Sequence, residues 1–329
     1  MPPRNHPGFA CEGPTDRTFS RLTRMKHFPS FASRPGPLLG LLLTSLLGFG
    51  CVTSSEHGTR AALGRALTFH ASFDNQVDAD FALGDRRLQS APQWGHPRNV
   101  HPGLPTNNAV HLAPGAGRYG GALRFERKMD ELVAFQGARN VAYRSNHWSG
   151  TVSFWLRVSP DADLAPDYCD PLQITPRNWN DASFFTDFTK DEKPRHFRLG
   201  ALADLPVWNP KKRDWDSLPA TEKPLVTVVH PPFSRDRWTH VAFTWDHYNT
   251  GQADAVTRFY LDGQLQGEIP LHLQTFTWDM EKCLIMLGLG YTGWMDDLAL
   301  FNRALSPNEI TTLNQLPGGV GQLPRRSKP

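Results

Sequence analysis

Four cysteines in 329 residues are too few for a disulfide scaffold. No Cys-x-x-Cys occurs, and the 13 histidines are scattered, none at metal-ligand spacing from another. A structural zinc site therefore has no support. Gly-x-Ser-x-Gly, His-Glu-x-x-His and the phosphate-binding Gly-rich run are all missing, which removes the local signatures of serine hydrolases, zinc proteases and nucleotide-binding folds. An excess of one charge is missing as well. Residues 1–50 hold six basic side chains (Arg4, Arg17, Arg21, Arg24, Lys26, Arg34) and two acidic ones (Glu12, Asp16). Of the 35 basic and 32 acidic residues in the chain, that leaves 29 and 30, a net charge of −1. A near-neutral body offers no electrostatic footprint for nucleic acid.

What is present begins with a leader. The run Leu38-Leu39-Gly40-Leu41-Leu42-Leu43-Thr44-Ser45-Leu46-Leu47-Gly48-Phe49-Gly50 is apolar, uncharged and too short to span a bilayer comfortably. Arg24, Lys26 and Arg34 precede it, the order of a secretory signal, with Met25 as an alternative start. Residues 1–50 are read as a leader that is removed. Cys51 follows directly, and Leu-Gly-Phe-Gly-Cys resembles a bacterial lipobox in which Leu47 stands four residues before the cysteine instead of three. Two outcomes stay open. Either Cys51 is lipidated and 51–65 is a tether, or cleavage nearby yields a soluble secreted protein. Export leaves Cys169 and Cys283 in an oxidising compartment, where they are either a disulfide or two separate buried thiols.

From Ala66 the chain reads as strands and turns. Leu67, Phe69, Ala71 and Phe73 share one face of a first strand that ends at Asp74-Asn75, a turn pair. A Pro/Gly/His-rich connection runs from Ala91 to Pro114. Strands are expected at Gly120–Phe125, Leu132–Phe135 and Thr151–Val158, then at Phe184–Phe188, Phe197–Gly200 and Leu225–Val229. Further strands are expected at Trp238–Trp245, Thr275–Trp278 and Cys283–Gly288. Asp262-Gly263 marks a hairpin after Arg258–Leu261. Many short strands with Gly and Asp turns and almost no helix predict an all-β sandwich.

The chain closes on Gly293-Trp294-Met295-Asp296-Asp297-Leu298-Ala299-Leu300-Phe301, then Asn302-Arg303-Ala304-Leu305-Ser306. Strict alternation puts Trp294, Leu298 and Leu300 on one side and Met295, Ala299 and Phe301 on the other. It also sends Asp296 and Asp297 to opposite faces. Ser306, Pro307 and Glu309 spell a capping box at the start of a short helix.

This closing segment resembles that of a laminin-G-like domain of the concanavalin A-like lectin/glucanase superfamily. Phe73-Asp74, Gly120-Gly121-Ala122-Leu123-Arg124-Phe125, Val152–Leu156, Trp238–Phe243 and Tyr260-Leu261-Asp262-Gly263 match further landmarks in order. The likeness covers roughly 67–316 and thins over 159–235, which reads as an insertion. It implies an antiparallel jelly-roll of two sheets over 66–317, with 318–329 as a disordered tail. It also implies binding more often than catalysis, and often a calcium ion.

Three constellations follow. The first is acidic: Asp74, Asn75, Asp78, Asp80, Asp296 and Asp297. Calcium takes several oxygen ligands, and the resemblance implies that Asp74 and Asp296, with Asp297 as the fallback, share an ion at adjoining strands. The alternative is turn capping by Asp74 and a hydrogen-bonded core Asp296. The second is Trp179, Trp208 and Trp215 with Asn178, flat rings beside an amide as sugar stacking uses, or else loop anchors. The third is Asp279 and Glu281, which on a strand would face the same way, as a retaining glycosidase requires. The superfamily's Glu-x-Asp-x-x-Glu is missing here. The favoured reading is an exported binding module for carbohydrate or a cell-surface protein. The alternative is a diverged glycan-active enzyme.

Overall fold

Alternation along the longest strands sets the architecture. Trp148–Arg157 and Thr239–Tyr248 pair antiparallel, with Val241 opposite Phe154 and Phe243 opposite Val152. These four side chains are fully buried between two sheets. The structure, a computed structural model, describes residues 47–95 and 99–324, with the side chains of 47–55, 270 and 271 outside the description. The leader up to residue 46 lies outside the described residues.

A nine-stranded sheet runs Gln264–His272, Ala255–Leu261, Thr239–Tyr248, Trp148–Arg157, Gly293–Phe301, Leu67–Ala71 and Phe81–Ala82, with Ala122–Phe125 and Val110–Ala113 branching from the closing strand. An eight-stranded sheet runs Leu225–Val228, Phe197–Leu202, Ser183–Phe188, Cys169–Thr175, Leu284–Leu289, Leu132–Gln136, Leu88–Ala91 and His101–Pro102. All their pairings are antiparallel, as a two-sheet jelly-roll requires. One end of the shared core is aromatic. The Trp148 ring meets Trp245 at 5.1 Å and Trp278 at 5.0 Å, and Phe184 stacks on Phe276 at 5.1 Å. Such pairs add about 0.5–1.5 kcal/mol each beyond burial, and the cluster takes up three of the ten tryptophans.

The closing strand departs from strict alternation at the point that matters. On one side it pairs Gly293–Met295 with Leu123–Phe125 and Leu298–Phe301 with the first strand. Between these two partners, register against Trp148–Arg157 slips from Asp296↔Trp155 to Ala299↔Ser153. Asp297 takes φ +51°, a left-handed conformation that Asp tolerates better than most residues. The bulge moves Met295 to the inter-sheet core with Leu298 and Leu300, while Ala299 and Phe301 face a second apolar cluster outside. It also puts Asp296 and Asp297 on the same outer side, which overturns the expectation that they face opposite ways. The first strand shifts likewise between Leu67 and Phe69, so Leu67 joins the outer cluster.

That outer cluster is roofed by the helix Pro307–Gln315, which begins with the capping box at Ser306 and Glu309 and buries Ile310 and Leu313. A second helix, Leu47–Ala66, takes in the stretch read as a tether. Its last turns bury Leu63 and Ala66 in the same cluster. Val320 and Leu323, in the stretch read as a tail, pack there too. A Cβ on Gly64 would lie 1.9 Å from the Pro324 carbonyl oxygen, so the helix and the chain end meet where only glycine fits. The stretch 275–278 carries no strand. Strands also form at Leu88–Ala91, Val110–Ala113 and Cys169–Thr175, where turn-rich sequence hid them.

Candidate functional site

Asp296 and Asp297 stand at the split in the closing strand, and the loop 117–121 enters beside them. The Tyr119 N–H donates to Asp296 Oδ2 at 2.9 Å, and the Gly121 N–H donates to Asp74 Oδ1 at 3.0 Å. One loop thus reaches both Asp296 and Asp74, the acids that follow the first strand and interrupt the last. Gly120 has φ +58°, and a Cβ there would sit 2.2 Å from Asp74 Oδ1. That close approach explains Gly120-Gly121. Asp297 is bound separately: His70 Nε2 lies 2.7 Å from its Oδ1, and the Val320 N–H donates to its Oδ2 at 3.0 Å.

The electrostatics single out Asp296. It is 0% exposed, and its Oδ1 has no hydrogen-bond partner among the described residues. Burial pushes its carboxyl up to about 8, aided by the charges of Asp297 and Asp74. Burial also raises Asp74, with Asp80 and Asp297 adding to the shift. Asp78 and Asp80 turn aside to accept the N–H groups of Leu88 and Ser72 at 2.9 and 2.8 Å. Among the described residues no three His, Cys, Asp or Glu side chains converge as a metal cluster. A cation here would need backbone oxygens as well as carboxylates. The orphaned Oδ1 and the crowding of acids nonetheless fit a positive charge.

The tryptophans of the insertion do come together. Trp179 meets Trp215 edge-on at 5.1 Å, Trp215 meets Trp208 at 5.8 Å, and Trp179 reaches Phe185 of the eight-stranded sheet at 6.2 Å. Phe185 lies flat because Gly200 opposite carries no side chain; a Cβ would fall 2.3 Å from its ring. The loop is clamped by Arg177, which binds Asp181 at 3.1 Å, Asp204 at 3.2 Å and the Thr277 carbonyl at 2.6 Å. Trp208 Nε1 donates to the Asn180 carbonyl at 2.9 Å, so this indole anchors the loop. Trp179 is 41% exposed, beside an exposed Asn178. A family model described as the concanavalin A-like lectin/glucanases superfamily, of laminin-G type, matches residues 139–311, more than half of the chain.

The chain belongs to this superfamily.

Two structures of a toxin binding domain, each with a TM-score of 0.51, share the fold. The ligand-binding domain of botulinum neurotoxin serotype D, in complex with N-acetylneuraminic acid, is similar over 80% of this chain and 53% of that one, at 11% identity and a TM-score of 0.51. Another structure of the serotype D binding domain matches over 78% and 52%, at 13% identity and a TM-score of 0.51. Domain 4 of AbnA, a GH43 extracellular arabinanase from Geobacillus stearothermophilus, in complex with arabinotriose, matches over 76% and 98%, at 17% identity and a TM-score of 0.42. The chain spans about half the length of the toxin domains. No curated protein matches it in sequence.

Other expected sites in this lectin/glucanase-type sandwich fall elsewhere. Asp279 and Glu281 do not lie on a strand. They occupy an exposed turn in which Asp279 pairs with Lys282 at 2.8 Å. Lys282 holds the Asp279 carboxyl below its ordinary range, the reverse of what a general acid needs. Cys169 and Cys283 are separate buried thiols, not a disulfide. Their strands pair with Leu284 opposite Thr175 and Leu289 opposite Asp170, which sets the cysteines at opposite ends of the pair, about 20 Å apart at ~3.3 Å per residue. Cys51 lies within the helix Leu47–Ala66, its side chain outside the description. Ser153 Oγ and His240 Nε2 lie 2.8 Å apart, but both are buried, and burial drives the imidazole down to about 3. No substrate reaches that pair. A groove of about 580 Å³ between the helices, lined by Glu56, Thr59, Ser306 and Glu309, holds none of the expected residues.

Sequence reasoning missed His70, Tyr119 and Val320 as partners of the acids. His70 left a trace, as the polar outward residue in an apolar strand. Tyr119 and Val320 act through their backbone N–H groups, which no side-chain pattern reports.

The raised Asp296 carboxyl has a consequence for stability. In the unfolded chain it ionises near ~3.9, and in the folded protein near about 8. Over that interval the unfolded chain releases a proton that the fold retains. The stabilisation is therefore complete below ~3.9 and is lost as pH rises to about 8. In chelator, the melting temperature should fall more steeply between these limits in the native protein than in Asp296→Asn. Parallel slopes would disprove the assignment.

Proposed function

We propose that this chain is an exported module, lipid-anchored at Cys51, that binds carbohydrate at the cell surface. The observation that carries the reading is the Trp179 ring. It is an exposed aromatic face on a loop clamped by Arg177, Asp181 and Asp204, with Trp208 and Trp215 holding it upright. A rigid flat ring offers a sugar an apolar platform without an ordering cost, and Asn178 supplies an amide beside it. The N-acetylneuraminic acid complex of the serotype D domain, a protein of this fold, is in keeping with carbohydrate as the ligand class. The apolar run before Cys51 supports export and anchoring.

A calcium ion is the second element of the proposal. Oδ1 of Asp296 and the carboxylate of Asp74 would hold it, with backbone carbonyls after the first strand completing the roughly six to eight oxygens the ion takes. Asp297, engaged by His70 and Val320, supports the site from outside. Calcium would supply the charge that the buried Asp296 lacks, and would tie the first strand to the last.

Each element has its own test. On a glycan array, the native protein should bind one or more neutral oligosaccharides, and Trp179→Ala should weaken binding about tenfold, the value of roughly 1.4 kcal/mol. Equal binding by the variant would remove the site from this loop. Calcium should raise the melting temperature more than magnesium does, chelation should lower it, and Asp296→Asn should abolish the difference. If metal-free and calcium-loaded protein melt together, the ion is absent. Mass spectrometry of the mature protein should find diacylglyceryl-Cys51; a cytosolic chain still starting at Met1 or Met25 would sink export.

A further inference from the structure

The outer face of the nine-stranded sheet carries a row of side chains that neither the acids nor the tryptophan loop uses. Arg124 lies opposite Trp294, and Trp294 opposite Arg157, on three adjacent strands. Trp238 continues the row, because Thr239 beside it lies opposite Leu156. Cations and rings alternate. The Arg124 guanidinium carbon is 4.8 Å from the Trp294 ring centre, and that of Arg157 is 4.6 Å from the same ring and 4.9 Å from Trp238. Arg157 is thus held between two indoles. Two residues back along its strand the motif recurs, with Arg118 5.0 Å from Trp155 and 5.2 Å from Tyr119.

The charges in this row are poorly balanced. Arg124 pairs with Glu126 at 3.1 Å. Arg157 and Arg118 have no carboxylate partner among the described residues, and the Arg157 guanidinium donates no hydrogen bond there. Elsewhere on the sheets arginines are paired, Arg198 with Asp187 and Arg258 with Glu268. A guanidinium carries five N–H donors in one plane. With rings against both faces, Arg157 offers only its edge, the geometry that receives a carboxylate or sulfate through two parallel hydrogen bonds. Burial and the neighbouring Arg124 both disfavour its charge, and an anion would relieve both. The indoles on either side would meet the apolar faces of a sugar ring.

We propose that Arg157, flanked by Trp294 and Trp238 with Arg124 and Arg118 alongside, is a binding site for acidic glycans, receiving a uronic-acid carboxylate or a sugar sulfate on its edge. Nucleic acid is the less favoured source of the anion, since the body of the chain is near neutral. The site is on the opposite sheet from Phe185 and Trp179, so it stands or falls independently of the neutral-sugar reading.

Tryptophan fluorescence and calorimetry on the full mature protein test it, with four probes: a galacturonate oligosaccharide, a heparin-derived sulfated oligosaccharide, a neutral cello-oligosaccharide and a single-stranded oligonucleotide. At least one acidic sugar should bind and perturb the emission, with affinity falling as salt rises. Which of the two binds identifies the anion. Arg157→Lys keeps the charge but loses the planar fork, and should weaken binding about tenfold or more. Arg157→Gln should abolish it, while Trp179→Ala leaves it unchanged. The proposal is overturned if neither acidic sugar binds, if the neutral sugar or the oligonucleotide binds as well at this face, or if Arg157→Lys binds like the native protein.

Discussion

A carboxylate taken out of water needs compensation from whatever surrounds it, and this sandwich is closed around two of them. Asp296 and Asp297 occupy the place where the last strand changes partners, from Leu123–Phe125 to the first strand. Their bulge keeps Met295, Leu298 and Leu300 on the core side of the strand while turning both acids outward. Removing it would shift the register of one half of the strand and turn its apolar residues to the wrong face. The glycines of loop 117–121, the imidazole of His70 and the backbone of Val320 are all disposed around this point. Chain segments far apart in sequence meet there because the acids must be satisfied.

The two candidate binding faces differ in chemistry as well as position. At Trp179 the loop's own polar groups are engaged by the Arg177 clamp and the Trp208 indole, and what remains exposed is a ring with the uncharged Asn178 amide beside it. Such a surface selects for shape and apolar contact. At Arg157 the reverse holds: the rings are engaged against the guanidinium, and what remains is a set of N–H donors. Such a surface selects for charge. A fold built from two sheets can carry both without interference, because each outer face is framed by its own loops.

The fold was largely legible in the residues. Alternation at Val152–Val158 and Val241–Trp245, the Asp262-Gly263 hairpin and the Ser306 capping box are local signals, each with a local cause, and each reappears in place. The strands that went unseen, Leu88–Ala91 and Val110–Ala113, lie in Pro- and Gly-rich sequence where pairing, not propensity, makes the strand. The site was legible only in part. Asp296 stood out as an acid in an apolar strand, Asp74 as one of an acidic set in the turn after the first strand, and the three insertion tryptophans as a cluster of flat rings. Asp279 and Glu281 looked like a catalytic pair because a strand was assumed beneath them.

By itself the sequence determined which residues alternate, where turns and the C-terminal helix begin, and that the body of the chain is built of strands. These follow from the period of a strand and from side chains reaching only their own backbone. Tertiary structure alone decided that Asp296 and Asp297 face the same way, that Cys169 and Cys283 stay apart, and that Arg124, Trp294, Arg157 and Trp238 form one row. The first depends on a bulge set by two competing partner strands, the second on antiparallel register, and the third on four strands lying side by side. Each is a relation between residues distant along the chain, and periodicity, which acts over a few residues, carries no information about it.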